Sequence, residues 1–136
     1  MDQHASLFDW PEEGVRRTPY LIYSDTDVYE AEMARIFRGR TWHYLVLEVE
    51  IPNPGDYRLM DVGDTSVIVV RTPDGAINAM VNRCAHKGSM LLYQPFGNVG
   101  DLMCIYHNWL YDFDGNLQNV PFGKGINGKG GLPDDF

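Results

Sequence analysis

The chain is 136 residues long, 44% of them hydrophobic, and it carries a formal net charge of −8 at pH 7. This length predicts one domain with a modest core, and the acidic balance, with lysines and arginines scattered, argues against nucleic-acid binding because phosphates would be repelled. No apolar run reaches the roughly 18 residues that a membrane span requires, and residues 1–6 lack the features of a signal peptide, so we expect a cytoplasmic protein without membrane association.

The first predicted elements are an irregular lead and one helix. Proline-containing pairs interrupt residues 1–23, and the residue before a proline is pushed toward extended conformations. A helix is predicted over residues 26–38, where Ser24 or Asp25 can cap the start and Gly39 can end the helix. Its apolar positions form one stripe: Tyr29, Met33, Ile36 and Phe37.

From residue 42 onward the pattern predicts short strands separated by turns rich in glycine, proline and aspartate. The predicted strands are residues 42–49, 56–62, 65–71, 76–81, 102–104, 110–113 and 116–118. The fold class is therefore mostly β, an antiparallel sandwich or barrel with an N-terminal helix. Residues 123–136 are rich in glycine, lack an apolar period and are predicted to form a flexible connector.

Two short blocks carry the chemistry of the sequence. Both cysteines and two of the four histidines lie in Cys84-x-His86 and Cys104-x-x-His107. Each block is compact enough to be one loop tip, and both follow predicted strands, which places two ligand-bearing loops at one end of the domain. We therefore expect the four side chains to meet around a single metal centre.

Two kinds of metal centre use this set of ligands. A Rieske [2Fe-2S] cluster takes two thiolates on one iron and two imidazoles on the other, so each loop can give one ligand to each iron. A structural zinc ion also takes two cysteines and two histidines, but zinc fingers place the cysteines together and the histidines together, whereas each block here is mixed. A disulfide between Cys84 and Cys104, or two ordinary core cysteines, would leave both histidines unexplained.

The candidate ligands lie in two longer motifs, Asn82-Arg-Cys-Ala-His-Lys-Gly88 and Cys104-x-Tyr-His-x-Trp-x-Tyr-Asp-x-Asp-Gly-Asn116. These motifs resemble the Rieske portion of the large (α) subunit of aromatic-ring-hydroxylating dioxygenases of the anthranilate, salicylate and benzoate type. Residues 18–37 are similar to the N-terminal helix of that subunit, and residues 118–122 to the segment after its second ligand loop. One departure is Asn108, where the family usually has glycine after the second histidine.

The resemblance implies a ligand set and a division of the chain. Cys84 and Cys104 would bind the inner iron of the cluster, and His86 and His107 the outer iron. Residues 1–40 would be the lead and helix, residues 41–122 the Rieske [2Fe-2S] domain, and residues 123–136 a connector toward a catalytic domain absent from this chain. Neighbouring residues are expected to shape the cluster pocket or to donate hydrogen bonds near it: Arg83, Lys87, Gly88, Tyr106 and Trp109.

The resemblance also implies a function and partners. Electrons from a ferredoxin or flavin reductase would pass through the cluster to a mononuclear iron, Fe(II), in the catalytic domain of the same or a neighbouring large subunit, where dioxygen is added to an aromatic substrate. A small (β) subunit is a further possible partner. A free-standing Rieske ferredoxin and a zinc-stabilised binding module are the alternative interpretations.

The potential of such a cluster is expected near the bottom of the Rieske range, about −150 mV. High-potential Rieske proteins carry a serine after the second histidine that gives a hydrogen bond to a sulfide. The corresponding run here, His107-Asn-Trp-Leu-Tyr111, has no serine. Without that hydroxyl the reduced, more negative cluster is less stabilised.

Overall fold

The computed structural model describes residues 11, 12 and 14–133. The first part of the predicted lead, residues 1–10, lies outside the described residues. The chain divides into two compact units, one ending at His43 and one beginning at Tyr44.

The first unit contains the predicted helix in two parts. Short 3-10 turns at Gly14–Arg16 and Tyr20–Tyr23 precede helix α1, Thr26–Glu32, which continues as a π-helical turn over Met33–Phe37. Asp25, one of the two predicted caps, accepts a hydrogen bond from the Val28 amide at 3.0 Å.

The end of this helix and its apolar stripe follow the prediction only in part. A Cβ atom on Gly39 would lie 2.0 Å from the Arg35 carbonyl oxygen, so no larger residue fits where the helix ends. Met33 of the predicted stripe is buried, but Tyr29, Ile36 and Phe37 are exposed in this chain. A π turn widens the helical period, so the spacing that predicts a single stripe does not hold beyond Glu32.

The strand predicted over residues 42–49 is wrong. Residues 41–47 form no helix or strand, and Glu48–Glu50 form a 3-10 turn. Trp42, Tyr44 and Leu47 are exposed. A β-strand needs a neighbouring strand to hydrogen-bond with. An extended segment with apolar residues shows the same sequence pattern with or without that neighbour, so the pattern alone cannot predict a strand here.

A four-stranded antiparallel sheet forms the first layer of the second unit. Its strands are β1 (Asp56–Val62), β2 (Thr65–Arg71), β3 (Ile77–Val81) and β4 (Phe96–Asn98), in the order β3-β2-β1-β4. The sequence predicted the first three. It missed β4, whose Gly97 and Asn98 are poor strand formers. Gly97 packs closely on Tyr57: a Cβ atom there would lie 3.0 Å from the Tyr57 ring, which would have to shift by a few tenths of an ångström.

A three-stranded antiparallel sheet forms the second layer. Its strands are β5 (Leu102–Met103), β6 (Leu110–Tyr111) and β7 (Leu117–Asn119), in that order. The core draws on both sheets: Tyr57, Ile68 and Val70 from the first, and Leu102 and Tyr111 from the second. The mostly β, antiparallel, sandwich-like fold is confirmed, and the two sheets remain open rather than closing into a barrel.

The glycine-rich segment has a local structure that the sequence analysis did not predict. An antiparallel bridge joins Ile126 and Lys129, and the Leu132 amide donates to the Gly123 carbonyl at 2.7 Å. Leu132 also packs against the core. Residues 123–132 therefore fold back on themselves, and their role as a connector stays a prediction.

None of the helices in the described part of the chain has the length and apolar character that crossing a membrane would require.

Candidate metal centre

The two sequence blocks fold into loops with the same hydrogen-bonded frame. In the first loop the Cys84 amide donates to the Ser89 carbonyl at 2.7 Å and the Gly88 amide donates to the Cys84 carbonyl at 2.9 Å. In the second loop the Cys104 amide donates to the Trp109 carbonyl at 2.8 Å, and the Asn108 amide to the Cys104 carbonyl at 2.8 Å. Each frame therefore spans six residues, starts at a cysteine and carries one histidine at its tip.

Both loops turn through a left-handed residue at the same place. Gly88 has φ +74° in the first loop, and Asn108 has φ +55° in the second. Asparagine adopts this region more readily than other residues with a side chain. The departure from the family pattern at Asn108 is therefore accommodated without a different loop path.

The two thiols meet beneath the loops. Cys84 is 2% exposed and Cys104 is 1% exposed, and both are free cysteines. Burial raises the pKa of the Cys84 thiol, but hydrogen bonds from Tyr111, from the His86 and Lys87 amides and from Cys104 outweigh it, so that pKa lies below its ordinary value. The site thus favours a thiolate, the form that binds metals.

Tyr111 supports the sulfur of Cys84 from below. Its hydroxyl lies 3.3 Å from the Cys84 sulfur and accepts a hydrogen bond from the Ala85 amide at 3.1 Å. Burial, together with the Cys84 contact, raises the pKa of Tyr111 to about 12. The phenol therefore stays protonated and can donate to the sulfur. Tyr111 belongs to the second motif, but sequence reasoning gave it no role because this contact joins residues that are 27 positions apart.

The two histidines lie together at the loop tips. Their ring centroids are 4.6 Å apart, at an interplanar angle of 70°, and both residues are exposed. Partial desolvation, with the neighbouring charges of His107 and Lys87, lowers the pKa of His86. This favours the neutral imidazole, which has a lone pair to give to a metal.

An aromatic ring lies against each histidine. The His86 ring stacks on Trp109, with centroids 4.7 Å apart and planes 9° apart, and Trp109 is 5% exposed. The His107 ring lies against Tyr106, with centroids 4.0 Å apart, and Tyr106 is exposed. Trp109 and Tyr106 therefore each contact one of the two histidines, and their roles toward a bound cluster stay predictions.

The remaining predicted neighbours pack on the first loop. A Cβ atom on Gly88 would come within 3.1 Å of the Arg83 guanidinium, which shows that Arg83 covers this glycine. The Lys87 backbone amide hydrogen-bonds the Cys84 sulfur. The charge of Lys87 lies near His86 and contributes to the lowered pKa of that imidazole.

A groove of about 440 Å³ opens beside the histidines. His86 and His107 lie on one side with Asn108, and residues of the glycine-rich turn lie on the other, among them Gly123 and Leu132. The exposed edges of the imidazoles therefore face an opening on the molecular surface.

The four candidate ligands are arranged as two pairs. Within the described residues, no three histidine, cysteine, aspartate or glutamate side chains are grouped around a single ion position. Instead, the two thiols contact each other below and the two imidazoles contact each other above. A thiol pair and an imidazole pair are the donor sets that the two irons of a Rieske cluster need. The residues therefore fit that group.

Comparison with known proteins agrees with this fit. Residues 41–128 match the family described as the Rieske [2Fe-2S] domain. The chain is 48% identical over 132 residues to the anthranilate 1,2-dioxygenase large subunit of Burkholderia cepacia, covering 97% of this chain and 31% of that protein. It is 47% identical over 131 residues to the large oxygenase component of salicylate 5-hydroxylase from Ralstonia sp, covering 93% and 31%. The chain thus spans about a third of the length of these curated relatives.

Solved structures share the fold. Naphthalene 1,2-dioxygenase from Rhodococcus sp., bound to indole, superposes with a TM-score of 0.75 at 35% identity, covering 88% of this chain and 27% of that one. A quaternary ammonium Rieske monooxygenase in complex with gamma-butyrobetaine superposes with a TM-score of 0.72 at 28% identity, covering 79% and 31%. With the family match extending over more than half of its residues, the chain belongs to the Rieske [2Fe-2S] domain family and is similar to the Rieske portion of ring-hydroxylating dioxygenase large subunits.

Proposed function

We propose that this chain is the electron-transferring, N-terminal part of the large subunit of an aromatic-ring-hydroxylating dioxygenase. Cys84 and Cys104 hold the inner iron of a Rieske cluster, and His86 and His107 hold the outer iron. The observation that carries the proposal is the division of the four donors into a buried thiol pair and an exposed imidazole pair. In this division of the chain, residues 1–40 are the lead and helix, residues 41–122 the cluster domain and residues 123–136 the connector.

When bound, the cluster accepts and passes on one electron at a time. The protein residues set the conditions for that transfer. The Tyr111 hydroxyl and the amides of His86 and Lys87 direct partial positive charge at the Cys84 sulfur, which stabilises the added negative charge on reduction. Trp109 fixes the plane of the His86 ring.

The imidazole edges are the side of the site that a redox partner can reach. Both rings line an open groove, and in the part of the chain that the structure describes neither ring has a hydrogen-bond partner. A carboxylate or another acceptor on a catalytic domain can therefore accept a hydrogen bond from a ring N–H and come close to the cluster. Electron transfer rates fall steeply with distance, so this edge is the proposed exit for the electron.

The partners and substrate of the whole enzyme follow from its relatives. We propose a ferredoxin or flavin reductase as electron donor, and a catalytic domain of the same or a neighbouring large subunit, with its mononuclear iron, as acceptor. A small subunit completes the assembly in this proposal. The similarity to anthranilate and salicylate enzymes supports an aromatic substrate that reacts with dioxygen.

The test is electron paramagnetic resonance of the dithionite-reduced protein, purified without air, together with iron and zinc analysis. We expect an average g value of about 1.9, the mark of mixed histidine and cysteine ligation, with roughly two irons per chain. The absence of any paramagnetic resonance signal, together with one zinc per chain, would overturn the proposal and favour a structural zinc site.

A further inference from the structure

The two ligand loops have the same frame but are closed in different ways. The second loop connects two paired strands, with Leu102 opposite Tyr111 and Met103 opposite Leu110. The first loop follows β3, and the next strand, β4, pairs with β1 instead. Within the described residues, therefore, no strand pairing closes the first loop at its base.

A single side chain occupies that position. Asn82 immediately follows β3, and its Oδ1 atom accepts hydrogen bonds from the Leu91 amide at 2.9 Å and the Leu92 amide at 3.0 Å. Its Nδ2 atom donates to the Leu92 carbonyl at 2.8 Å. These are the donor and acceptor that a neighbouring strand would offer to residues 91 and 92.

Asn82 is itself firmly held. It is 3% exposed, its backbone amide donates to the Ser66 carbonyl at 2.8 Å, and its Nδ2 atom lies 3.4 Å from the Ser66 hydroxyl. The side chain therefore ties the far end of the first loop to the central strand β2. Buried amides that lose such a partner are costly, since water cannot replace it.

We propose that Asn82 is the positioning residue of the first ligand loop. By closing residues 83–90 at their base, it fixes Cys84 and His86 in register with Cys104 and His107, so that the two halves of the cluster site match. This inference rests on the proposed function, because it takes Cys84 and His86 as cluster ligands. It assigns to Asn82 a role that the second loop obtains from strand pairing.

The experiment compares Asn82→Ala with Asn78→Ala in the iron-loaded chain. Asn78 is the matched control: it is an asparagine of β3, four residues before Asn82, and its Nδ2 atom donates to the Phe113 carbonyl at 3.0 Å, outside the first loop. For each variant, the rate of loss of visible absorbance with an iron chelator is measured beside the urea midpoint of unfolding. We expect Asn82→Ala to lose its cluster roughly tenfold faster than Asn78→Ala at matched unfolding stability.

A conservative variant and a local spectroscopic signal separate positioning from general stability. Asn82→Asp keeps an acceptor for both leucine amides but places a second oxygen against the Leu92 carbonyl, so it should retain the cluster longer than Asn82→Ala but less long than wild type. Pulsed paramagnetic resonance resolves the nitrogen couplings of the two histidine ligands. In Asn82→Asp we expect one coupling to change and the other to keep its wild-type value, because only the first loop is disturbed.

Equal rates of cluster loss in Asn82→Ala and Asn78→Ala would overturn the inference, as would equal changes in both nitrogen couplings of Asn82→Asp. A wild-type chain that takes up no cluster would instead overturn the proposed function, and this inference with it. The two failures are therefore distinguished by the wild-type spectrum.

Discussion

Individual side chains around the thiol pair set the energy of the reduced cluster, and Tyr111 is the clearest case. Tyr111→Phe removes the hydroxyl 3.3 Å from the Cys84 sulfur and leaves the ring in the core. One hydrogen bond to the sulfur contributes roughly 1 kcal/mol, so we expect the reduction potential to fall by about 40 mV. A potentiometric titration followed by paramagnetic resonance measures it.

Tyr106→Phe is the matched control for that titration. Tyr106 lies against His107, but its hydroxyl makes no hydrogen bond in the described part of the chain. Removing the Tyr106 hydroxyl should leave the reduction potential within about 10 mV of wild type. This difference is much smaller than the shift expected from losing one hydrogen bond to the sulfur. Equal shifts in both variants would show that the Tyr111 hydroxyl has no specific influence on the cluster.

Asn108 gives a prediction about backbone conformation. Asn108→Ala places an ordinary side chain at φ +55°, and we expect it to lower the free energy of unfolding of the metal-free chain by about 1 kcal/mol. Asn108→Gly should stay within about 0.5 kcal/mol of wild type, because glycine adopts this conformation freely. Urea unfolding followed by circular dichroism measures both variants.

Asn119→Ala provides the reference for Asn108. Asn119 is an exposed residue at the end of β7, and its backbone does not adopt the left-handed conformation. Asn119→Ala should therefore have little effect on the free energy of unfolding. If Asn108→Ala were no more destabilised than Asn119→Ala, the left-handed turn would not be a constraint in the second loop.

The sequence alone identified the four candidate ligands but not their supporting residues. The candidate ligands fall into two short blocks of distinctive residue types, so their spacing is enough to predict them. Tyr111 and Asn82 act through hydrogen bonds to residues 27 and 10 positions away. Such contacts depend on how the loops and strands fold together, and no local pattern encodes them.

Among the elements, the hairpin of β6 and β7 depends on one carboxylate. Asp112 accepts hydrogen bonds from the Asp114 and Asn116 amides and from the side chains of Asn116 and Gln118. Burial raises the pKa of Asp112, but these hydrogen bonds together lower it by more than burial raises it. The pKa in the folded state therefore lies below its ordinary value.

This pKa shift predicts how the hairpin responds to acid. A carboxyl with a depressed folded pKa stabilises the fold above its unfolded pKa, about 3.9, and that stabilisation is lost as the pH falls through the folded pKa. Asp112→Asn removes the titration, so the difference in unfolding free energy between wild type and variant should shrink as the pH falls from 6 toward about 3. Urea titrations across this range measure it, and a constant difference would contradict the prediction.

Strands were predicted correctly where apolar runs and turn residues agree, and the prediction failed where only one of these signals was present. β1, β2 and β3 combine runs rich in apolar residues with clear turns. Residues 42–49 are rich in apolar residues but have no partner strand, so the predicted strand does not form. β4 is poor in apolar residues but pairs with β1, so it was not predicted. Pairing is a property of the whole sheet, so a local reading cannot decide either case.

For the whole molecule, the cluster is expected to act as a cross-link between distant parts of the chain. The two loops are joined by residues 90–103. All four ligands can bind the cluster only when both loops have formed, so binding stabilises the folded chain relative to the unfolded one. Removing iron should therefore lower the melting temperature by at least about 5 °C, a shift that roughly 1 kcal/mol produces in a domain of this size. Scanning calorimetry of the loaded and chelated chain measures this shift.

Cys84→Ser is the control for iron removal. This variant loses one thiolate and should not hold the cluster, so its melting temperature should be the same with and without chelator. A wild-type chain that melts at the same temperature in both states would show that the cluster does not stabilise the fold.

The shared frame of the two ligand loops has a consequence for their two histidines. His86 is the third residue of its frame and His107 the fourth, and the planes of their two imidazole rings lie at 70° to each other. One ring is backed by the buried Trp109 and the other by the exposed Tyr106. Two loops with the same hydrogen-bonded frame therefore end in unequal tips, one with its imidazole on a buried ring and one with its imidazole on an exposed ring.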